Sequence, residues 1–155
     1  MKKENKILLI LLIISFLIRI AFAFVSPVPW WDETVYANLG YDLSRNFFYY
    51  SLQSAGWSDF IPGSDFPYSW PNIGFRAPLL PYTLSLFYFL KLNFLIDLFI
   101  PIIGSLSVLL VYFLGKILFN KRIAFYSALF FAFLPLHLFY SGMILTEVYA
   151  TFFIF

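Results

Sequence analysis

Apolar runs separated by isolated charges set the organisation of this chain. The first covers 7–31 and is interrupted by Arg19 alone. It follows Met1-Lys2-Lys3-Glu4-Asn5-Lys6, so the positive-inside rule places its start in the cytoplasm. A second run, 77–90, is uncharged, shorter than a span requires, and carries Pro78 and Pro81. A third, 98–115, is followed by Lys116, Lys121 and Arg122. The fourth, 123–146, is closed by Glu147, and a last begins at Val148 and stops with the chain at Phe155. These lengths predict spans at about 7–29, 97–115 and 123–144, with the start of another from 148. A basic start, an apolar core and Ala21-Phe22-Ala23 also fit a cleaved signal peptide. The run continues to Trp31, which favours a retained anchor with Trp30 and Trp31 in the outer interfacial belt.

Parity settles the expected topology. Residues 116–122 form a second basic cluster, expected in the cytoplasm like the first. Inside to inside takes an even number of crossings, and 7–29 with 97–115 supplies them. The 77–90 run is then expected in or against the outer leaflet, bracketed from the next span by Lys91 and Asp97. The predicted fold class is all-α: a polytopic integral membrane protein with about three complete spans, a truncated fourth, and interfacial helices in the first outer loop, 30–92. The expected location is the cell membrane, multi-pass, with a cytoplasmic N-terminus. Asp32, Glu33 and Glu147 then share the outer side.

Within the outer loop, "WWDETVYANLGYDLSRNFFYY" repeats Tyr36, Leu39, Leu43 and Phe47 at helical spacing. Asn38, Asp42 and Arg45 fall on another face, as in a helix lying flat at the interface. Asp32 is placed as its N-cap, worth ~1 kcal/mol without any catalysis, and Glu33 in its first turn. Residues 51–75 are rich in turn formers, with Trp57, Phe60, Phe66, Tyr68, Trp70 and Phe75 interleaved to rest on headgroups or stack on sugar rings. Arg76 stands just before the 77–90 run. A guanidinium there suits a lipid phosphate, in a dedicated site or from bulk phospholipid.

Composition narrows the class. Of 155 residues, 62% are hydrophobic, 24% aromatic and only 12% charged. Soluble domains are about half apolar and a quarter charged, so the chain belongs with integral membrane proteins. The net charge of +2 gives no reason to expect nucleic acid as a partner. The absence of cysteine excludes disulfides, thiolate metal sites and cysteine nucleophiles. His137 is the one histidine, which leaves no His/Cys metal constellation, and the glycines form no phosphate loop. Arg19 costs roughly 3 kcal/mol to insert and predicts a packed multi-helix body whose interior it faces. Pro135 and His137 mark a kink in the third span.

The order of "WWDETVYANLGYDL", "RAPLLP", "LGKILFNKRIAFYSALFFAFLP" and "SGMILTEVYATFF" resembles the N-terminal part of the C-type membrane glycosyltransferases. It is most similar to the protein O-mannosyltransferase and lipid A aminoarabinose transferase branch, and the resemblance covers essentially the whole chain. It implies an inverting enzyme that moves a sugar from a polyprenyl phosphate, dolichyl or undecaprenyl. The acceptor would be a hydroxyl of a protein, lipid or glycan outside the cytoplasm. It further implies that Asp32 is the general base and that Arg76 offsets charge on the donor phosphate. Glu147 would be the second acid, which positions the acceptor or, in some members, a divalent cation. Glu33 would have a supporting role. The cofactor is otherwise left open, and no metal ligand is assigned. Asp97 stands where relatives carry a basic residue, and Glu147 where some branches have Asp. The family is much longer, so the chain is expected to be a fragment. Two other functions fit the same pattern: a non-catalytic membrane scaffold subunit, and a transporter of lipid-linked sugars. The transporter would favour polar groups at the bilayer midplane, where Arg19 stands almost alone.

Overall fold

The computed structural model describes residues 3–25, 31–48, 50 and 76–154, and every regular element among them is helical. In chain order these are α1 (Lys3–Val25), α2 (Trp31–Arg45), α3 (Leu79–Phe89), a 3-10 turn (Asn93–Leu95), α4 (Ile96–Leu118), α5 (Lys121–Ala132), α6 (Pro135–Ser141) and α7 (Thr146–Ile154). Two stretches, Asn5–Val25 and Asn93–Leu118, are long and apolar enough to cross a membrane. The α5–α6 pair makes a third if it counts as one span. The aromatic stretch 51–75 and Trp30 of the expected belt lie outside the described residues.

The expected third span is broken in two, with α5 and α6 bent by 57°. Pro135 has no N–H to donate, and its ring crowds the carbonyl four residues before it. Leu134, ahead of the proline, is extended at φ −62° and ψ 114°. The N–H groups of Phe133 and Leu134 fall back on the Phe130 and Phe131 carbonyls, each at 3.3 Å. The Ala132 carbonyl, which would accept from Leu136 in an unbroken helix, needs another donor.

The chain divides into two compact units, Met1–Val28 with Asp97–Phe155, and Pro29–Ile96. In the first, Ala124, Ala128 and Ala132 are fully buried and line one face of α5 at helical spacing. Ala128 and Ala132 meet Leu11 of α1 and Val108 of α4 in one cluster. Small side chains let helix backbones approach, which is how helices associate in lipid, where apolar burial supplies no drive. Gly115 shows how close the approach is: a Cβ there would lie 2.8 Å from the Ala124 Cα. The turn between α4 and α5 is set by Asn120, whose Oδ1 accepts from the Arg122 and Ile123 N–H groups at 3.0 Å.

Arg19 of α1 is wholly buried in this unit. Its Nε donates to Ser141 Oγ at 3.2 Å and one terminal nitrogen to His137 Nδ1 at 3.1 Å. The other terminal nitrogen donates to the Ser15 carbonyl at 3.1 Å, to the Ser15 hydroxyl, and to the Ala132 carbonyl at 3.3 Å. The guanidinium is therefore the donor that the broken helix needs. Gly104 makes room, since a Cβ there would lie 2.7 Å from Ser141 Oγ and 2.9 Å from Arg19 Nε. The interior placement expected of Arg19 is thus what the fold has, and its acceptors are neutral dipoles.

In the second unit α2 packs on α3. Val35, Tyr36, Leu39 and Leu43 of α2 are buried, as are Leu80 and Leu84 of α3, so the apolar face of α2 is covered by protein. The crossing point is Gly40, where a Cβ would sit 2.7 Å from the Leu84 Cβ. Two expectations change here. Helix α2 begins at Trp31, so Asp32 lies inside its first turn and is not the cap. Asp42, placed by its spacing on the polar face, is 8% exposed, and Phe47 lies beyond the helix end. Helix α3 stops at a Schellman arrangement, with Leu92 N–H on the Phe87 carbonyl at 2.8 Å and Lys91 N–H on Tyr88 at 3.1 Å. Lys91 takes the left-handed position, φ 57°, that glycine usually fills.

Two stability changes follow. Lys91→Gly removes the Cβ penalty of that conformation and should stabilise the second unit by about 1 kcal/mol, read as a higher thermal midpoint in detergent. Arg19→Ala strands the Ala132 carbonyl and leaves a cavity. It should cost about 2–4 kcal/mol, read as loss of the monodisperse peak after heating. An unchanged midpoint would mean that the α5–α6 break does not rely on Arg19.

Candidate active site

Asp32 and Glu33 enter α2 side by side, and helical rotation sends them different ways. Glu33 is buried at 7% exposure, whereas the Asp32 side chain is 43% exposed. The Arg76 side chain, from the strand of chain entering α3, is 15% exposed and donates from its terminal nitrogen to Asp32 Oδ1. The second unit thus joins two sequence-predicted site residues 44 positions apart. Tyr36 stands one turn after Asp32 on the same face, and the Arg76 guanidinium lies over its ring, 5.4 Å from the centroid.

Further aromatics close the back of the pair. The Tyr50 hydroxyl donates to the Arg76 carbonyl at 3.1 Å, fixing the backbone from which the guanidinium projects. The Tyr50 ring stacks on Tyr82 of α3 at 6.1 Å and 22°. Tyr82 in turn donates to the Phe47 carbonyl at 3.2 Å and meets the Phe47 ring edge-on at 5.0 Å. Burial acts to lower the Arg76 pKa, but hydrogen bonds and charge from Asp32 and Tyr36 outweigh it and hold the guanidinium above its ordinary value. Burial pushes the Tyr50 phenol up to about 12; Tyr36 and Tyr82 add to this and Arg76 opposes it.

The arrangement offers a permanent cation whose far side is an aromatic wall, and a carboxylate held beside it that still meets solvent. A phosphate approaching Arg76 would compete with Asp32 for the same donors, and a carboxylate so displaced is available to take a proton. Tyr36, Tyr50 and Tyr82 were not singled out by the motif. Tyr36 alone of the three was named in the sequence, as a position of the helical repeat with Leu39 and Leu43.

Glu147 belongs to the first unit, exposed in the first turn of α7. It borders a cavity of about 280 Å³ whose wall includes His137, Tyr140 and Thr151. His137 accepts through Nδ1, so its ring proton is on Nε2, which is buried and has no hydrogen-bond partner among the described residues. Among the described residues no group of three or more His, Cys, Asp or Glu side chains is placed to hold a metal ion.

No protein-family model, curated protein or solved structure matches this chain.

The raised Tyr50 pKa makes a signed prediction. The neutral phenol is favoured in the fold, so its contribution is complete below the ordinary pKa of about 10 and is lost as pH rises through about 12. Alkaline titration followed by phenolate absorbance should show a late step near pH 12, and Tyr50→Phe should remove it. Persistence of the step in the variant would assign it to another tyrosine.

Proposed function

We propose that this chain carries the donor-side chemistry of an inverting glycosyltransferase that takes its sugar from a polyprenyl phosphate. The pairing of Asp32 with Arg76 is the observation that carries this reading. A base and a phosphate-binding cation are the two groups the reaction needs within reach of one anomeric carbon, and the resemblance in the motifs names these same residues. The membrane-spanning length of α1 and α4 is what a donor with a polyprenyl tail requires of its enzyme.

In this reading the donor phosphate takes over the Arg76 guanidinium. Asp32 then removes the proton from the acceptor hydroxyl as its oxygen attacks the anomeric carbon. The bond from that carbon to the phosphate oxygen breaks, its electron pair leaves with the polyprenyl phosphate, and the configuration inverts. Arg76 offsets the charge that grows on the leaving phosphate. The Tyr36 ring and the Tyr50 hydrogen bond hold the guanidinium in place through this exchange. Glu33, buried beside Asp32, supports the first turn of α2, and Glu147 keeps the acceptor-positioning role of the second acid. The acceptor is a hydroxyl of a protein, lipid or glycan, and the reaction belongs to the outer face of the cell membrane.

The test is transfer from a polyprenyl-phosphate sugar in membranes containing the native protein. Asp32→Asn should lower turnover by roughly 10²–10⁴-fold, the usual range for a lost general base, with the protein still in the membrane. Arg76→Gln should raise KM for the donor. The charge-swapped pair Asp32→Arg with Arg76→Asp separates chemistry from packing: it should recover thermal stability and remain inactive. Full turnover in Asp32→Asn would leave the pair as a staple between α2 and the start of α3, as in a non-catalytic scaffold subunit.

A further inference from the structure

A second polar site lies in the first unit, where α1 and α5 both begin. A cleft of about 300 Å³ opens there, walled by Ile7 of α1, Tyr112 of α4, and Phe125 and Tyr126 of α5, with Lys121 and Arg122 at its rim. Its floor is built, since Tyr112 and Phe125 pack on the core formed by Leu11, Val108, Ala128 and Ala132. Its apolar surround continues outward through Ile123 and Tyr126, both exposed, as surface facing hydrocarbon would be. The two cations project from the first turn of α5. The backbone amides of Arg122 and Ile123 in that turn are already taken by Asn120. Recognition of an anion at this point therefore falls to the Lys121 and Arg122 side chains, with Tyr112 and Tyr126 also lining the cleft.

We infer that this cleft holds the headgroup of an anionic phospholipid, the phosphate on Lys121 and Arg122 and the first methylenes against Ile7 and Phe125. Charge complementarity at the rim and apolar walls below match the two halves of such a lipid. A soluble phosphate would use the rim alone and leave the apolar walls wet. The inference does not rest on the glycosyltransferase reading, because it uses none of that site's residues.

The experiment is native mass spectrometry of the chain released from mixed micelles of equal parts phosphatidylcholine and phosphatidylglycerol. Retention of phosphatidylglycerol over phosphatidylcholine is expected, with each cation worth roughly fivefold. Lys121→Gln with Arg122→Gln should abolish the preference, and the exchange Lys121→Arg with Arg122→Lys should keep it. Lys6→Gln with Lys116→Gln removes the same charge from exposed positions outside the cleft and should also keep it. If the first double variant aggregates, the single variants carry the test, each losing its fivefold share. Equal loss in the Lys6 and Lys116 variant would reduce the effect to bulk charge and overturn the site. So would no preference in the unaltered chain. Displacement of the lipid by inorganic phosphate would assign the rim to a soluble anion and overturn the lipid as occupant.

Discussion

Placing one guanidinium, Arg19, away from water obliges the helices around it to supply every acceptor it needs. Ser15 meets it from its own helix, one turn back. Ser141 and His137 meet it from α6, and the Ala132 carbonyl from the end of α5. The last contact exists only because the helix breaks there. Pro135 breaks the helix, which takes from Ala132 the Leu136 N–H it would have had, and Arg19 replaces it. Each partner therefore solves the other's problem: a charge that is costly to bury, and a broken helix whose carbonyl is costly to leave bare. The close approach of α4 at Gly104 and of α6 to the α1 backbone at Gly142 is the geometry this exchange requires.

Two arginines of the chain show opposite uses of the same group. Arg19 is surrounded by neutral acceptors and reaches nothing outside its unit's interior. Arg76 faces an acid that retains solvent contact, and leans on an aromatic ring. Breaking the first arrangement strands buried polar atoms, whereas exchanging the partner of the second leaves both ions able to find another. A partner that can be exchanged is what a binding or catalytic group needs. The first is a structural fixture for the same physical reason that the second is a candidate for chemistry.

Close helix contacts run through both units and have a common cause. Gly40 against Leu84, Gly115 against Ala124, and the row Ala124, Ala128 and Ala132 all bring backbones together where a larger side chain would hold them apart. Packing of this kind relies on dispersion and shape, since lipid competes with protein for apolar surface on equal terms. Glu33 and Asp42 of α2 are buried alongside its apolar residues, at 7% and 8% exposure.

The helical class and the long apolar helices were legible in the sequence, because hydrophobic length and charge placement are local properties of the chain. The interior position of Arg19 was legible as well, because a charge within a long apolar run has only one inexpensive place to go. The proline position announced a kink in the predicted third span, 123–144, but the donor that heals the break comes from a residue more than a hundred positions away. Asp32 and Arg76 were each singled out by motif, yet nothing in the linear pattern brought them together. That required α2 to cross α3 at Gly40. Helical periodicity placed Asp32 at a cap and Asp42 on a polar face, and both moved because periodicity describes a helix alone, while tertiary packing decides which neighbour each face meets. Sequence fixes what every segment must do with water and lipid; only the folded chain decides which charged and polar groups satisfy one another.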